Sequence, residues 1–243
     1  MSNFEPKVPV TIGPIQLREQ EHDREPGVWL VEGHGPLEVR GTGAVGRVLI
    51  AHGAGAGQQS LYMNQLRDAL AREGVQTLAM DFAYMQRMQR EAKRIPPPPI
   101  DRLVEELSQW CDILTHPRGG TLWLGGKSMG GRAASLLAAR GQAAGLLLCG
   151  YPFHPPARPD RLRLAHWPDL TCPTLVVQGT RDPFGTREEV ADYALPQCVK
   201  LHWLEEGDHD WKPRRKSGRT QAELIEEGAA AMAGFMAAHC ESK

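Results

Sequence analysis

A short glycine-rich sequence around one serine constrains the fold of this chain more than any other feature. Residues 126–130 read G-K-S-M-G, between an apolar run at 122–124 and a helix-forming stretch at 132–140. This order of strand, glycine-flanked serine and helix is typical of a nucleophile elbow, a tight turn that exposes the serine. Because the turn is strained and crowded, the residues two before and two after the serine must be small. The pattern alone is a weak signal, since glycine and serine also build ordinary turns.

Apolar runs alternate with helical patterns along most of the chain, which favours a parallel sheet covered on both faces. Each run is short and continuous, as in strands that are buried on both sides. The runs lie at residues 48–51, 77–80, 122–124, 146–149, 175–177 and 201–204. We therefore predict one α/β domain over residues 1–243, with helices on both faces of a mostly parallel sheet. Residues 1–41 are interpreted as a tail and an edge hairpin.

Three local predictions concern the surroundings of this sheet. Residues 28–31 and 37–40, joined by a turn-rich segment, predict an antiparallel hairpin at the sheet's edge. The basic stretch 87–94 and the prolines at 96–99 predict a loop over that edge, in which the prolines form a rigid connector or bind a partner. Asp101 is the predicted N-cap of the next helix.

The composition points to a soluble globular protein without a strong affinity for nucleic acid or membranes. The 243 residues carry a formal net charge of -1, so no global field favours polyanionic partners. The basic cluster at 212–219 is interpreted as a solvated loop rather than a nucleic-acid patch. Residues 1–9 lack the apolar region of a signal peptide, and no uncharged apolar run is long enough to span a membrane. We therefore expect a cytoplasmic protein, and the sequence leaves its oligomeric state open.

The cysteines give no sign of a disulfide framework or a zinc site. The five residues are scattered, odd in number and never arranged as C-x-x-C. We therefore expect buried or inert thiols and no metal site. We expect no organic cofactor either.

Polar residues that can carry chemistry follow several of the predicted strands. His52 and Gly53 come after the first parallel strand, Ser128 after the third, Asp182 after the fifth and His209 after the sixth. Ligands of such a sheet collect at the carboxyl ends of its strands, so we expect these residues to meet there. A serine needs a base to take its proton, and the base needs an acceptor that holds its tautomer. Serine, acid and histidine follow one another in the order used by α/β-hydrolases.

The motifs resemble those of the α/β-hydrolase superfamily over most of the chain, least so before residue 41. The residues that carry the resemblance are 48–57, 125–132, 150–152, 154–156, 178–185 and 207–209. More narrowly, they are similar to a subgroup of small serine hydrolases related to vertebrate testis-expressed members and to the third subunit of the non-specific-lethal histone acetyltransferase complex. The resemblance implies an α/β-hydrolase fold and says little about the substrate, because one fold hosts many reactions.

Carried over onto this sequence, the resemblance implies a catalytic triad. Ser128 would be the nucleophile, His209 the general base and then acid, and Asp182 the carboxylate that orients the imidazole. Two alternatives to this acid are open, because Asp208 and Asp210 flank the histidine and Asp182 also suits a turn.

The resemblance also implies an oxyanion hole and several neighbours of the site. The backbone N–H groups of Ala54 and Met129 would stabilise the oxyanion. His52 is expected to order this loop rather than to transfer protons. Possible site-lining residues are His52, Gly53, Lys127, Tyr151 and His154. The charge of Lys127 could favour anionic substrates, or it could be solvated or paired with a carboxylate.

We expect the chain to cleave a small carboxylic ester or thioester as its acyl substrate. An amide or lactone substrate stays open, and so does a non-catalytic interaction module with the same fold. The interval between residues 151 and 181 must also contain a strand, so it is too short for a separate cap domain. The loops at 83–100 and 151–168 are the candidates for a lid.

Overall fold

The computed structural model describes residues 10–14, 26–115 and 121–240. The described strands form one nine-stranded sheet with the order β1-β2-β3-β5-β4-β6-β7-β8-β9. They are β1 (Val10–Ile12), β2 (Gly27–Val31), β3 (Gly35–Arg40), β4 (Gly46–Ala51), β5 (Val75–Met80), β6 (Leu122–Lys127), β7 (Leu146–Cys149), β8 (Thr174–Gly179) and β9 (Val199–Leu204). Strands β4 to β9 pair in parallel with one another, and β5 pairs antiparallel with β3 on its other side. The predicted α/β-hydrolase fold is confirmed.

Helices cover both faces of the sheet and bury two apolar clusters. They are α1 (Leu61–Arg72), α2 (Ala83–Glu91), α3 (Ile100–Leu114), α4 (Met129–Ala138), α5 (Arg187–Ala191) and α6 (Gln221–Cys240). Helices α1 and α6 pack together on one face, and α3 and α4 on the other. Among the described residues no separate cap domain stands over the sheet. Helix α1 begins after the N-cap Ser60 and is followed by Gly74 with φ +82°, and serine and glycine are favoured at these two positions.

The N-terminal hairpin is present, but it does not form the edge of the sheet. Strands β2 and β3 pair antiparallel from Gly27 opposite Val39 to Val31 opposite Gly35. Strand β1 adds to β2 in parallel on the outer side, because its apolar Ile12 reaches the core. The predicted edge position is therefore wrong. The remainder of the predicted tail, residues 1–9 and 15–25, lies outside the described residues.

The predicted loop at residues 87–94 is wrong in its first half, because helix α2 continues to residue 91. Tyr84 and Met85 are buried on one side of this helix. Arg87 pairs with Glu91 at 2.7 Å on its exposed side, a spacing that supports a helix. The many charged residues of this stretch made the short apolar face of the helix difficult to recognise in the sequence.

The prolines at 96–99 are non-helical, as predicted, and helix α3 begins directly after them at Ile100. Pro99 therefore stands at the N-cap position, and the predicted N-cap Asp101 is wrong. Asp101 lies in the first turn instead, where a negative charge interacts favourably with the helix dipole.

Candidate active site

The serine turn has a conformation that only small neighbours allow. Ser128 links strand β6 to helix α4 with φ 52° and ψ -113°, a positive φ that residues with side chains rarely adopt. A Cβ atom on Gly126 would lie 2.5 Å from the Gly130 carbonyl carbon, and one on Gly130 would lie 2.5 Å from the Ala51 carbonyl oxygen. Both positions therefore require glycine, and the serine stands on a rigid turn.

Asp182 and His209 form a hydrogen-bonded pair beyond the ends of strands β8 and β9. His209 Nδ1 lies 2.8 Å from Asp182 Oδ2 and 3.0 Å from Oδ1. Asp182 is fully buried, and its Oδ1 also accepts a hydrogen bond from the Phe184 amide at 2.9 Å. These contacts fix the orientation of the carboxylate. Because Nδ1 donates to it, Nε2 of the neutral ring is left as a proton acceptor.

Buried packing holds the loop that carries His209. The indole of Trp211 is fully buried, and a Cβ atom on Gly228 of helix α6 would lie 2.8 Å from it. The same indole meets the ring of Tyr62 on helix α1 edge-on, with centroids 5.4 Å apart. Glu206 and Trp211 have positive φ values of 64° and 61°, which marks a tightly turned loop. Helices α1 and α6 thus position the histidine.

Ser128 and His209 line the same cavity, which has a volume of about 490 Å³. The Phe184 ring lies against the His209 imidazole with centroids 4.3 Å apart, and the imidazole side chain is 21% exposed. In the described part of the chain, the hydrogen bonds of the His209 ring are those to Asp182. The bond to a nucleophilic serine is often long in a free enzyme and shortens when substrate binds. His209 Nε2 is therefore free in the cavity that contains the serine.

Two backbone segments next to Ser128 carry the amides that are predicted for the oxyanion hole. Gly53 and Ala54 line the cavity beside Ser128. The Met129 amide is the first of helix α4, so it has no acceptor within the helix. The Tyr84 hydroxyl donates to the Ala54 carbonyl oxygen at 3.1 Å and steadies the loop. The oxyanion hole itself stays a prediction.

His52 is buried behind this loop and does not line the cavity, so its place among the possible lining residues is wrong. Its Nε2 accepts a hydrogen bond from the Phe82 amide at 3.1 Å, which places the ring proton on Nδ1, 2.7 Å from the Gly53 carbonyl oxygen. Burial lowers the pKa of His52, and the hydrogen bond to Gly53 and the charge of Asp81 oppose this shift. The ring therefore orders the loop, as the sequence predicts.

Gln58 and Asp81 anchor the far end of the same loop. The Gln58 amide group donates to the carbonyl oxygens of Ile50 and Met80 at 2.8 and 3.0 Å. The Gln58 backbone N–H donates to Asp81 Oδ1 at 2.8 Å. Since both side chains are buried, these bonds tie the loop firmly to the ends of strands β4 and β5.

The two alternative acids beside His209 have other partners. Asp208 Oδ1 accepts hydrogen bonds from the backbone amides of Asp210 and Lys212, each at 2.9 Å, and so closes the turn. Asp210 Oδ1 faces the ammonium group of Lys127. Asp182 is therefore the carboxylate that the structure brings to the His209 ring.

Lys127, the residue before the serine, is a buried cation that lines the cavity. Its side chain is 7% exposed, and its Nζ lies 3.4 Å from Asp210 Oδ1 and 5.6 Å from the centre of the Tyr62 ring. Burial lowers the pKa of Lys127, while the carboxylates of Asp210 and Asp182 oppose the shift. The structure thus favours the paired alternative over the solvated one.

Tyr151 and His154 were also predicted as possible lining residues, and this prediction is wrong. Both are buried in the segment after strand β7. The Tyr151 hydroxyl donates to the Arg163 carbonyl oxygen at 3.0 Å and accepts from Trp167 Nε1 at 3.1 Å, and His154 faces helix α5. These contacts hold the segment against the sheet. Neither candidate lid loop contributes to the cavity wall.

Sequence reasoning missed one wall of the cavity. The start of helix α1 contributes Leu61, whose side chain is 71% exposed, and Phe184 adds an aromatic ring beside His209. An apolar residue directly after an N-cap serine was the available signal, but a pattern search for the core passes over it. The missed lining residues are Gly55, Ala56, Ser60, Leu61, Tyr62, Met63, Phe184, Asp210, Lys212 and Gln221.

Comparison with known proteins places this geometry in a family. A family model described as an alpha/beta hydrolase domain matches residues 44–237, which include the serine turn, Asp182 and His209. The chain belongs to this alpha/beta hydrolase domain family. A comparison of this hydrolase-domain protein with curated proteins gave no match.

Solved structures share the fold at low sequence identity. Dienelactone hydrolase from Anabaena variabilis is 21% identical, with a TM-score of 0.64 over 86% of this chain and 96% of the other. A serine hydrolase homologue from Coxiella burnetii is 20% identical, with a TM-score of 0.62 over 86% and 97%. A Xanthomonas campestris protein described as an α/β serine hydrolase without lid is 18% identical, with a TM-score of 0.57 over 82% and 91%.

Two further findings concern the described residues only. They contain no group of three or more His, Cys, Asp or Glu side chains that could hold a metal ion. In the same ranges, every helix is too short or too polar to cross a bilayer.

Proposed function

We propose that this hydrolase-domain protein is a serine hydrolase that cleaves a small carboxylic ester or thioester through an acyl-enzyme on Ser128. One observation carries the proposal: a histidine that is hydrogen-bonded at 2.8 Å to a buried aspartate lines the same cavity as Ser128. A serine on a strained turn beside such a pair has the parts that nucleophilic catalysis needs.

In the proposed first half-reaction, Ser128 Oγ attacks the carbonyl carbon of the substrate while its proton moves to His209 Nε2. The tetrahedral intermediate then collapses, the bond to the alcohol or thiol breaks, and the leaving group takes the proton from His209. In the second half-reaction, water gives a proton to His209 and its hydroxide adds to the acyl carbon. Collapse releases the carboxylic acid and returns the proton to Ser128. Asp182 orients the ring throughout.

The Ala54 and Met129 amides are the proposed oxyanion donors. Ala54 lines the cavity on the loop after strand β4, and Met129 follows Ser128 at the start of helix α4. A donor of this kind contributes about 10²- to 10³-fold in rate. The buried bonds of His52 and Gln58 support the proposal, because they hold the loop in one conformation.

The finer parts of the proposal rest on chemical reactivity, on the quoted motifs and on composition. Esters and thioesters are favoured over amides because their carbonyl groups are more reactive, and a lactone, which is a cyclic ester, stays an alternative. Membership of the subgroup related to the testis-expressed and non-specific-lethal proteins rests on the quoted motifs. A cytoplasmic location and a small-molecule partner, rather than nucleic acid or membrane, rest on composition. Arg214 and Arg219 support this partner class, because Glu206 and Glu227 pair with them at 2.6 and 2.7 Å.

Covalent labelling tests the proposal. Wild type and Ser128→Ala are incubated with a fluorophosphonate, and the adduct is located by intact-protein and peptide mass spectrometry. We expect one adduct on Ser128 in the wild type and none in the variant, followed by hydrolysis of short esters by the wild type only. Folded wild type that neither forms the adduct nor cleaves esters would contradict the proposal and favour a non-catalytic interaction module.

A further inference from the structure

Lys127 is a cation that the fold has buried at considerable cost. Its side chain passes Gly53, and its Nζ lies 3.3 Å from the place that a Cβ atom on Gly150 would occupy. Desolvation of an ammonium group is unfavourable unless a close anion compensates it. The buried Lys127 ammonium group beside the nucleophile therefore needs an anionic partner. The partners that the structure offers neutralise its charge only in part.

Asp210 is the nearest carboxylate, and it neutralises the ammonium group only in part. The distance from Lys127 Nζ to Asp210 Oδ1 is 3.4 Å, whereas a strong bond between an ammonium group and a carboxylate spans about 2.7–2.9 Å. The Asp210 side chain is 52% exposed, so its carboxylate can turn into water at little cost. The pair is therefore easily exchanged for a better one.

Asp182 is a second carboxylate near the ammonium group, and it is shared with other donors. Its Oδ2 and the Lys127 ammonium group lie 3.4 and 3.3 Å from one point, the Cβ position of Gly150. Both of its oxygens are already engaged, by His209 Nδ1 and by the Phe184 amide. The remaining neighbour is the face of the Tyr62 ring, which attracts a cation less strongly than a carboxylate does.

The cavity is lined by both apolar and polar residues. Ala54, Ala56, Leu61 and Phe184 are apolar lining residues, and the Phe184 ring lies against His209. Lys127, Asp210, Lys212 and Gln221 are polar lining residues. A short hydrocarbon chain that ends in an anion suits both kinds of lining residue, whereas a wholly apolar chain suits only the first.

We infer that Lys127 binds a carboxylate of the substrate, and that Asp210 occupies this place until the substrate displaces it. The inference rests on the proposed function. It narrows the substrate class to esters that carry a carboxylate a few bonds from the scissile carbonyl group. Such an anion reaches the ammonium group from the cavity side, and Asp210 turns outward into solvent.

Matched pairs of esters test this inference. Monomethyl glutarate is compared with methyl pentanoate, and the butyryl ester of glycolate with ethyl butyrate, so that the carboxylate lies on the acyl or the alcohol side. Alkyl esters are used because aryl monoesters of dicarboxylic acids hydrolyse themselves through carboxylate attack. The quantity of interest is the ratio of kcat/KM for the anionic ester to that for its neutral partner.

Two variants change charges of the cavity lining, and a third changes a charge outside the cavity. Lys127→Met should lower the ratio by about 10- to 100-fold, the range for a bond to a charged group. Asp210→Asn removes the competing carboxylate and should raise the ratio by about 3- to 10-fold, a modest electrostatic effect at an exposed side chain. Lys200→Met is the matched control, because Lys200 is exposed and is not among the residues that line the cavity, and it should change the ratio by less than about 2-fold.

The possible outcomes separate this inference from the proposed function. A ratio that falls in Lys127→Met and rises in Asp210→Asn supports it. If the neutral ester is cleaved in a Ser128-dependent reaction and neither variant moves the ratio, the carboxylate site is wrong and the hydrolase proposal stands. If Lys127→Met does not fold, Asp210→Asn decides, and an unchanged ratio contradicts the inference. If the wild type cleaves neither ester, both proposals fail.

Discussion

His52 and His209 follow the carboxyl ends of two parallel strands, β4 and β9, and their surroundings differ in one decisive way. Both ring nitrogens of His52 are engaged, by the Gly53 carbonyl oxygen and the Phe82 amide, and the side chain is fully buried. His209 uses only Nδ1, for Asp182, and its ring opens into the cavity. A histidine at a strand end is thus available for proton transfer only when its second nitrogen is free.

The largest expected effect is a loss of activity that should distinguish these two histidines when each is replaced by asparagine. An asparagine at either position retains a donor in the place of Nδ1 and loses Nε2. His209→Asn should lower kcat by about 10⁶-fold, as loss of a triad histidine does, with little change in stability. His52→Asn should lower kcat far less, but it leaves the buried Phe82 amide unpaired and should lower the free energy of unfolding by about 1–3 kcal/mol.

Ester hydrolysis and urea unfolding of both variants measure these effects. If His52→Asn abolished turnover while unfolding like the wild type, the roles of the two histidines would have to be exchanged.

The next largest effect concerns Asp182, the hydrogen-bond partner of His209. Asp182→Asn should lower kcat by about 10⁴-fold, because the amide favours the wrong tautomer of the ring. Asp208→Asn is the matched control, since the Asp208 carboxylate closes the loop without touching the ring. Steady-state kinetics on one ester, with thermal unfolding to verify folding, compares the two. A larger loss of activity in Asp208→Asn would contradict the assignment of the acid.

Sequence reasoning predicted the sheet, and it predicted that Ser128 and the Asp182–His209 pair meet at one end of it, because both follow local rules. The six buried parallel strands are continuous apolar runs, and Ser128, Asp182 and His209 follow three of them. Strand β1 was missed because three residues are too few to show an alternating pattern. Its pairing with β2 also depends on residues that are distant in the sequence. Helix α2 was missed because its charged side conceals Tyr84 and Met85.

The residues that line the cavity could not be predicted from the sequence, for a different reason. Leu61 and Phe184 line the cavity because of the directions in which α1 and the loop after β8 leave the sheet. Tyr151 stands at a strand end as Ser128 does, but its hydroxyl turns inward to Arg163 and Trp167. Position along the chain predicts which residues reach the edge, whereas side-chain packing decides which of them face the cavity.

A third prediction concerns the loop beside His52. This loop should contribute to the reaction rate through a backbone amide rather than through a titrating side chain. Ala54→Pro removes the amide that is proposed as an oxyanion donor and should lower kcat by about 10²- to 10³-fold. Ala54→Gly retains the amide and serves as control, with an expected loss of a few-fold at most. The rate of fluorophosphonate labelling should follow kcat. Equal activity of the two variants would assign the oxyanion hole elsewhere.

The smallest expected effect is a pH dependence of stability that belongs to His52. Burial lowers the pKa of this ring in the folded protein, whereas it is about 6.5 in the unfolded chain. Below about pH 6.5 the unfolded chain therefore binds a proton that the folded protein does not, and the free energy of unfolding falls by up to about 1.4 kcal/mol per pH unit. His52→Asn lacks this dependence, so its stability should approach that of the wild type as the pH is lowered. Urea unfolding at pH 7.5, 6.5 and 5.5 measures the gap, and a gap that stays constant would show that the pKa of His52 is not lowered in the folded protein.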